Sequence, residues 1–275
     1  MKKVVTLVAV SAVAGSALAV DFFGTADDTG YQGNSASLSA THLLSAEIRG
    51  LETLWSSGGF AHANAGFGSV IGVDDFTSGG TSQAVYRVDS AFSGVPSLVQ
   101  IATINSRPVS DLTVGNGKIY GVRNVGGSGS NLEVVEFDTS FNVTNTYDTG
   151  IAIADVAAGG LAYDAVSDSF YLTDPDADSL WNWSIGGSAT LVGVNGFDFD
   201  NNDLAIDPNT GTLYGAIENV SDNSWEFGYW NTNSGQFTSL VIVDDSSGSV
   251  GLAIPSPATL AMLGLGGLVA GRRRR

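Results

Sequence analysis

The sequence predicts an all-β body, and three observations carry that expectation. Turn formers dominate, with 36 glycines among 275 residues and 22 Asp against 6 Glu, so the chain is rich in turn residues and poor in surface helix formers. Short β-branched and aromatic runs recur between Gly, Asp and Asn clusters, the pattern of consecutive short strands. A two-run phrase also returns along the chain, with Val70, Ile119, Phe170 and Leu213 at equivalent positions 49, 51 and 43 residues apart. One four-stranded propeller blade has about that length. Apart from a weak case over Ser37 to Leu54, no stretch between Val20 and Gly251 sustains a helical period.

Taken in order, residues 1–19 open with Lys2 and Lys3, run apolar from Val4 to Val13 and end on Ala17-Leu18-Ala19. That is the layout of a secretory leader, cut after Ala19 by signal peptidase. Val20 to Thr25 reads like a second strand of the repeat, with later strands expected between Ala40 and Trp55. The phrase is loosest at Gly68 to Val73 and clearer at Asp111 to Val114 with Lys118 to Val122. Its best copies are Gly160 to Asp164 with Ser169 to Asp174, and Asp203 to Asp207 with Thr212 to Ala216. Between the last two runs, Asp207-Pro208-Asn209-Thr210-Gly211 makes a hairpin turn, since Pro presets φ and Gly takes φ > 0. Third strands follow at Ala84 to Val88, Leu132 to Phe137, Leu180 to Trp183 and Trp225 to Trp230, and fourth strands at Leu98 to Ala102 and Leu240 to Val243.

Four copies leave Ser249 to Ile254, a first-strand phrase, unaccounted for. Set beside Val20 to Thr25, it closes a ring of five blades and removes two free sheet edges. The expected fold is therefore a β-propeller of five four-stranded blades over residues 20–254, with N- and C-terminal strands sharing one blade. A β-sandwich is the alternative, and the long repeat period argues against it.

Residues 255–275 hold Pro255-Ser256-Pro257, an apolar run from Ala258 to Gly271, and Arg272, Arg273, Arg274 and Arg275. The run is short for a bilayer span, and the Arg cluster would hold its end on the cytoplasmic side. This tail resembles the PEP-CTERM sorting signal of bacteria, with Ser256 where the motif usually has Glu. The resemblance implies a membrane-inserted hydrophobic helix before processing, an exosortase-type processing enzyme, and an envelope that often carries exopolysaccharide. It implies an address and no activity.

Between the two ends lie 28 acidic residues and five basic ones, Arg49, Arg87, Arg107, Lys118 and Arg123. Such a field repels phosphate backbones and excludes nucleic acid as a partner, while favouring divalent cations. Asp174, Asp176 and Asp178 alternate as oxygen ligands for Ca2+ would, but Ser179 and Ile185 stand where an EF-hand has Gly and Glu. Asp198, Asp200 and Asp203, with Asn201 and Asn202, form a second oxygen-rich cluster. Ordinary Asp-capped turns are the competing explanation for both.

Signatures of catalysis are thin. His42 and His62 are the only imidazoles, no nucleophile elbow or metalloprotease helix accompanies them, and no cysteine is available. Gly58-Gly59 and Gly126 to Gly129 lack the context of a phosphate cradle. Trp181, Trp183, Trp225, Tyr229 and Trp230 either pack between blades or stack on sugar rings. The functional expectation is an exported, non-enzymatic surface or matrix module, possessing no certain cofactor and associated with polysaccharide. A secreted carbohydrate-active hydrolase or lyase with a carboxylate-lined cleft is the alternative.

Overall fold

The computed structural model describes residues 21–26, 29–34, 37–54, 69–74, 80–92, 94–124, 130–153, 159–243 and 250–255. Twenty strands form five antiparallel sheets of four, arranged in a ring: a five-bladed β-propeller. Blade I is β20 (Val250–Ala253), β1 (Asp21–Ala26), β2 (Thr29–Asn34) and β3 (Ser37–Leu43), from the axis outward. Blade II is β4 (Ile48–Thr53), β5 (Val70–Asp74), β6 (Gln83–Asp89) and β7 (Ser97–Ile104). Blade III is β8 (Asp111–Gly115), β9 (Lys118–Asn124), β10 (Ser130–Phe137) and β11 (Val143–Ile153). Blade IV is β12 (Leu161–Asp164), β13 (Ser169–Asp174), β14 (Ser179–Trp183) and β15 (Thr190–Val194). Blade V is β16 (Phe199–Ile206), β17 (Leu213–Asn219), β18 (Ser224–Trp230) and β19 (Phe237–Val243).

The expected repeat lands in register. Val70, Ile119, Phe170 and Leu213 all fall at or next to the start of a second strand. The chain ends close the ring as expected, with β20 pairing β1 from Phe23↔Ala253 to Ala26↔Val250. The predicted Asp207 turn is present: Gly211 has φ +72°, its N–H donates to Asp207 O at 2.8 Å, and the Asp207 side chain accepts from Asn209 N at 2.9 Å.

Blade I departs from the expectation. Its third and fourth strands are β2 and β3, so the expected range of Ala40 to Trp55 catches only the end of β3, and Ile48–Thr53 already belongs to blade II. The weak helical period over Ser37 to Leu54 is likewise split between β3 and β4 by a bend at Ser45 and Ala46. Thr29–Asn34 reads TGYQGN and Ser37–Leu43 reads SLSATHL. Few of these residues are β-branched or aromatic, so the ladders of β2 to β1 and of β3 to β2 decide their conformation where propensity does not.

Apolar burial is divided among the blade interfaces, one cluster to each. Phe22 of blade I stacks on Phe227 of blade V at 3.7 Å between centroids, and Tyr31 on Trp225 at 5.4 Å. Between blades III and IV, Trp183 packs on Phe170 and Tyr147. Trp230 packs with Phe199 and Phe237 between blades IV and V. The I–II interface buries Phe23, Ile48 and Val70, and the II–III interface buries Ile71, Val85 and Phe137.

At the rim, every pairing of a third strand with a fourth carries a register shift, in all five blades. Asp148 is the sole charged residue of the five outer strands. Bulges, which twist an edge away from new partners, therefore stand where charge usually guards an open strand.

Candidate functional site

The inner strands touch in the cycle β20, β4, β8, β12, β16 and back to β20. Each brings a Gly-Leu or Asp-Leu pair to the axis: Gly50-Leu51, Asp111-Leu112, Gly160-Leu161, Asp203-Leu204 and Gly251-Leu252. The inner edge of such a strand has no neighbour to bond with, so its amides need another acceptor. Two aspartates supply it. Asp111 Oδ1 accepts from Leu112 N at 2.6 Å, and Asp111 Oδ2 from Leu161 N at 2.6 Å and Leu204 N at 3.2 Å. Asp203 Oδ2 accepts from Leu51 N and Leu252 N, both at 2.8 Å. All five leucine amides thus end on two carboxyl groups, and both aspartates are 0% exposed.

The glycines at the other three positions are set by close approach. A Cβ on Gly50, which has φ +54°, would lie 2.7 Å from Asp111 Cα, and one on Gly160 would lie 2.5 Å from Asn202 Oδ1. Small residues let neighbouring inner strands draw near enough for the carboxyls to span the axis.

Buried polar side chains extend this centre along the inner strands. On one side, Glu52 Oε1 accepts from Thr53 N at 2.7 Å, and Oε2 from Thr113 Oγ1 at 3.0 Å and Val114 N at 3.2 Å. On the other, Arg49 donates through Nε to Ser110 O at 3.0 Å and through Nη2 to Asn201 Oδ1 at 3.4 Å. Asn201 Nδ2 in turn donates to Glu218 Oε2 at 2.7 Å. Threonines stitch blade to blade: Thr25 Oγ1 donates to Ile48 O at 2.8 Å, Thr53 Oγ1 to Ile254 O at 2.7 Å, and Thr173 to Asn202.

Burial raises both axial carboxyls well above the ordinary carboxylate range. In Asp111 three donated amides oppose the rise, whereas Asp203 has two and also feels the charge of Asp111. Asp203 Oδ1 is buried without a hydrogen-bond partner.

Of the candidate calcium ligands, the structure brings one group together at the junction of blades IV and V. Asp174 caps a 3-10 turn over Pro175–Ala177, accepting from Ala177 N at 3.3 Å. Burial, with the charges of Asp176 and Asp178 beside it, pushes its carboxyl up to about 6. Asp178 takes a left-handed conformation, φ 49°, and its Oδ1 accepts from Phe199 N at 3.0 Å. Burial and the nearby charge of Asp198 raise its carboxyl. Asp176, Asp198 and Asp200 are exposed, and Asp203 stands apart from them at the axis. Among the described residues, no three acids or imidazoles are gathered closely enough to hold a metal ion.

Of the aromatics, Trp183, Trp225 and Trp230 are buried between blades, while Trp181 and Tyr229 are half-buried. Pro255 is buried directly after β20. The leader, Ser256, Pro257, the apolar run, Arg272, Arg273, Arg274, Arg275, His62, Gly58-Gly59 and Gly126 to Gly129 lie outside the described residues. Among the described residues no helix is long and apolar enough to cross a membrane.

Sequence reasoning placed Asp203 in a metal cluster and passed over Asp111, Glu52 and Arg49. The signal lay in the five Gly/Asp-Leu pairs, which locate the inner strands and single out the two positions where Asp replaces Gly.

No family model matches this chain, and no curated protein matches it. Among solved structures, it is similar to a chain of a nidogen/laminin complex, at 14% identity and TM-score 0.45 over 86% of this chain and 98% of that one. It is also similar to a putative 6-phosphogluconolactonase from Bacteroides fragilis, at 10% identity and TM-score 0.44, covering 88% and 99%. A third is TolB from Acinetobacter baumannii, at 12% identity and TM-score 0.42, covering 86% and 67%. Likeness at this level carries no functional weight, and the fold rests on the strand pairing itself.

Proposed function

We propose that this protein is an exported, non-enzymatic binding or structural module of a bacterial envelope or its extracellular matrix, with polysaccharide as its partner. One observation carries the non-enzymatic part. Two acids with perturbed ionisation, Asp111 and Asp203, are sealed at the axis and engaged by the fold's own amides, and the raised carboxyls of Asp174 and Asp178 are likewise held by backbone amides, of Ala177 and Phe199. An acid or base of a hydrolase must reach within hydrogen-bond distance of a substrate, and Asp111 and Asp203 are enclosed by the five inner strands.

Export rests on the leader, and envelope sorting on the tail that follows Pro255. In this reading signal peptidase removes residues 1–19, and an exosortase-type enzyme acts on the tail beyond the ring. Half-buried Trp181 and Tyr229 are the aromatic faces offered to sugar rings. Calcium belongs to the reading as a counter-ion of the Asp174, Asp176, Asp178 and Asp198 loops.

The test is a glycan array probed with the mature chain, beside intact-mass analysis of protein recovered from a bacterial envelope. Glycan binding weakened by Trp181→Ala or Tyr229→Ala, without glycan cleavage, is the expected result. Release of reducing ends from a bound polysaccharide would turn the assignment to the hydrolase alternative, and a chain recovered with residues 1–19 intact would remove export.

A further inference from the structure

We infer that Asp111 and Asp203 form a one-proton site at the ring axis, with Asp111 ionised and the proton on Oδ1 of Asp203. The assignment follows from where the amides go. Asp111 receives three N–H groups spread over both oxygens, the environment that stabilises a carboxylate. Asp203 receives two, both on Oδ2, and its Oδ1 is buried with no partner. The groups are close, because Asp111 Oδ2 lies 3.2 Å from the amide of Leu204, the residue after Asp203. Two neighbouring carboxylates at 0% exposure place two like charges in a medium that solvates neither. One proton on the oxygen that no amide serves removes the second charge and leaves every amide bond in place.

The other charged groups near this centre come from β4: Glu52, whose charge acts on both aspartates, and Arg49, engaged with Ser110 and Asn201. No titratable side chain comes from β20. Those of β12 are turned to their own hairpin, where Tyr163 donates to Asp168 and Asp164 accepts from Ser167. Glu218 on β17 accepts from Asn201. Desolvation and the charge of Asp111 act on Asp203 in the same direction, upward.

Since Asp203 Oδ2 holds Leu51 on β4 and Leu252 on β20, the proton sits on the clasp that joins the C-terminal strand to the ring. The sign of the pH effect follows. A carboxyl whose pKa is higher folded than unfolded contributes stability in full below its unfolded pKa, near 4, and loses it as pH rises towards the folded value.

Thermal unfolding of the full chain from pH 5 to 9, for wild type, Asp203→Asn and Asp111→Asn, tests the assignment. Asparagine at 203 mimics the protonated acid, so this variant should melt at or above wild type at pH 8, and its advantage should grow with pH. Asparagine at 111 sets an NH2 against donating amides and should melt lower by at least about 5 °C at every pH. The infrared spectrum of folded wild type at pH 8 should contain a protonated-carboxyl carbonyl band that disappears on unfolding in urea. Equal losses in the two variants at pH 8 would overturn the assignment, as would Asp203→Asn alone failing to fold. If neither variant folds, the infrared band decides, and its absence from wild type would overturn it.

Discussion

The axis and the rim of this ring face one problem, the unpaired edge of a β-strand, and meet it by opposite means. At the rim the outer strands border solvent, so water satisfies their free amides, and bulges in all five outer pairings make the edges poor templates for another chain. Around the axis no such solvent is available, and two carboxyl groups accept from all five leucine amides. The difference teaches that a buried edge needs fixed acceptors at defined positions, whereas an exposed one needs only a shape that discourages pairing. Axial substitutions that remove an acceptor or crowd the inner strands should therefore be costly, and those at the rim nearly silent.

The sharpest way to break the contrast is a chain ending at Ser249. It lacks β20, leaves one edge of β1 open and removes the Leu252 amide from Asp203. No cooperative thermal transition should remain by circular dichroism, and a normal melt would show that blade I closes without its inner strand. Next, Asp111→Ala orphans three buried amides at once and should cost about 3–5 kcal/mol in urea unfolding. Gly160→Ala pushes a methyl group against Asn202 and Leu204 and should cost about 1–3 kcal/mol. Ile242→Lys, on an outer strand at 63% exposure, should change stability by no more than about 0.5 kcal/mol. A rim substitution as costly as Asp111→Ala would erase the distinction between the two edges.

Smallest is the expected effect of calcium on the acidic loops of blades IV and V. Binding to the folded state raises stability by about 0.4 kcal/mol when free Ca2+ equals its dissociation constant, a small rise in Tm in millimolar Ca2+. An unchanged Tm would retire calcium from the proposal.

The repeat made the blades legible because a second strand packs between two neighbours on both faces, so its apolar phrase recurs wherever a blade begins. Phe170 and Leu213 are both buried in blade interfaces, and that shared burial is what the spacing recorded. Outer strands face solvent, and their composition drifts freely. Ser37–Leu43, the outer strand of blade I, carries a single β-branched residue, Thr41, so its composition does not mark it as a strand. The axial centre was harder to read for a different reason. An Asp in a turn-rich acidic chain looks like a cap, as Asp174 and Asp207 indeed are, and nothing local separates those from Asp111 or Asp203. Only alignment of all five inner strands reveals that Asp alternates with Gly at one structural position.

The position of β20 has a mechanical consequence. Residues 256–275 follow a strand that is the innermost of its sheet and is joined to β1 by four residue pairs. Any pull on that tail therefore enters at the hub of the wheel and not at its tyre, loading first the seam that makes the circle complete. A tether attached there would report on the integrity of the whole assembly, because the hub cannot yield without opening it.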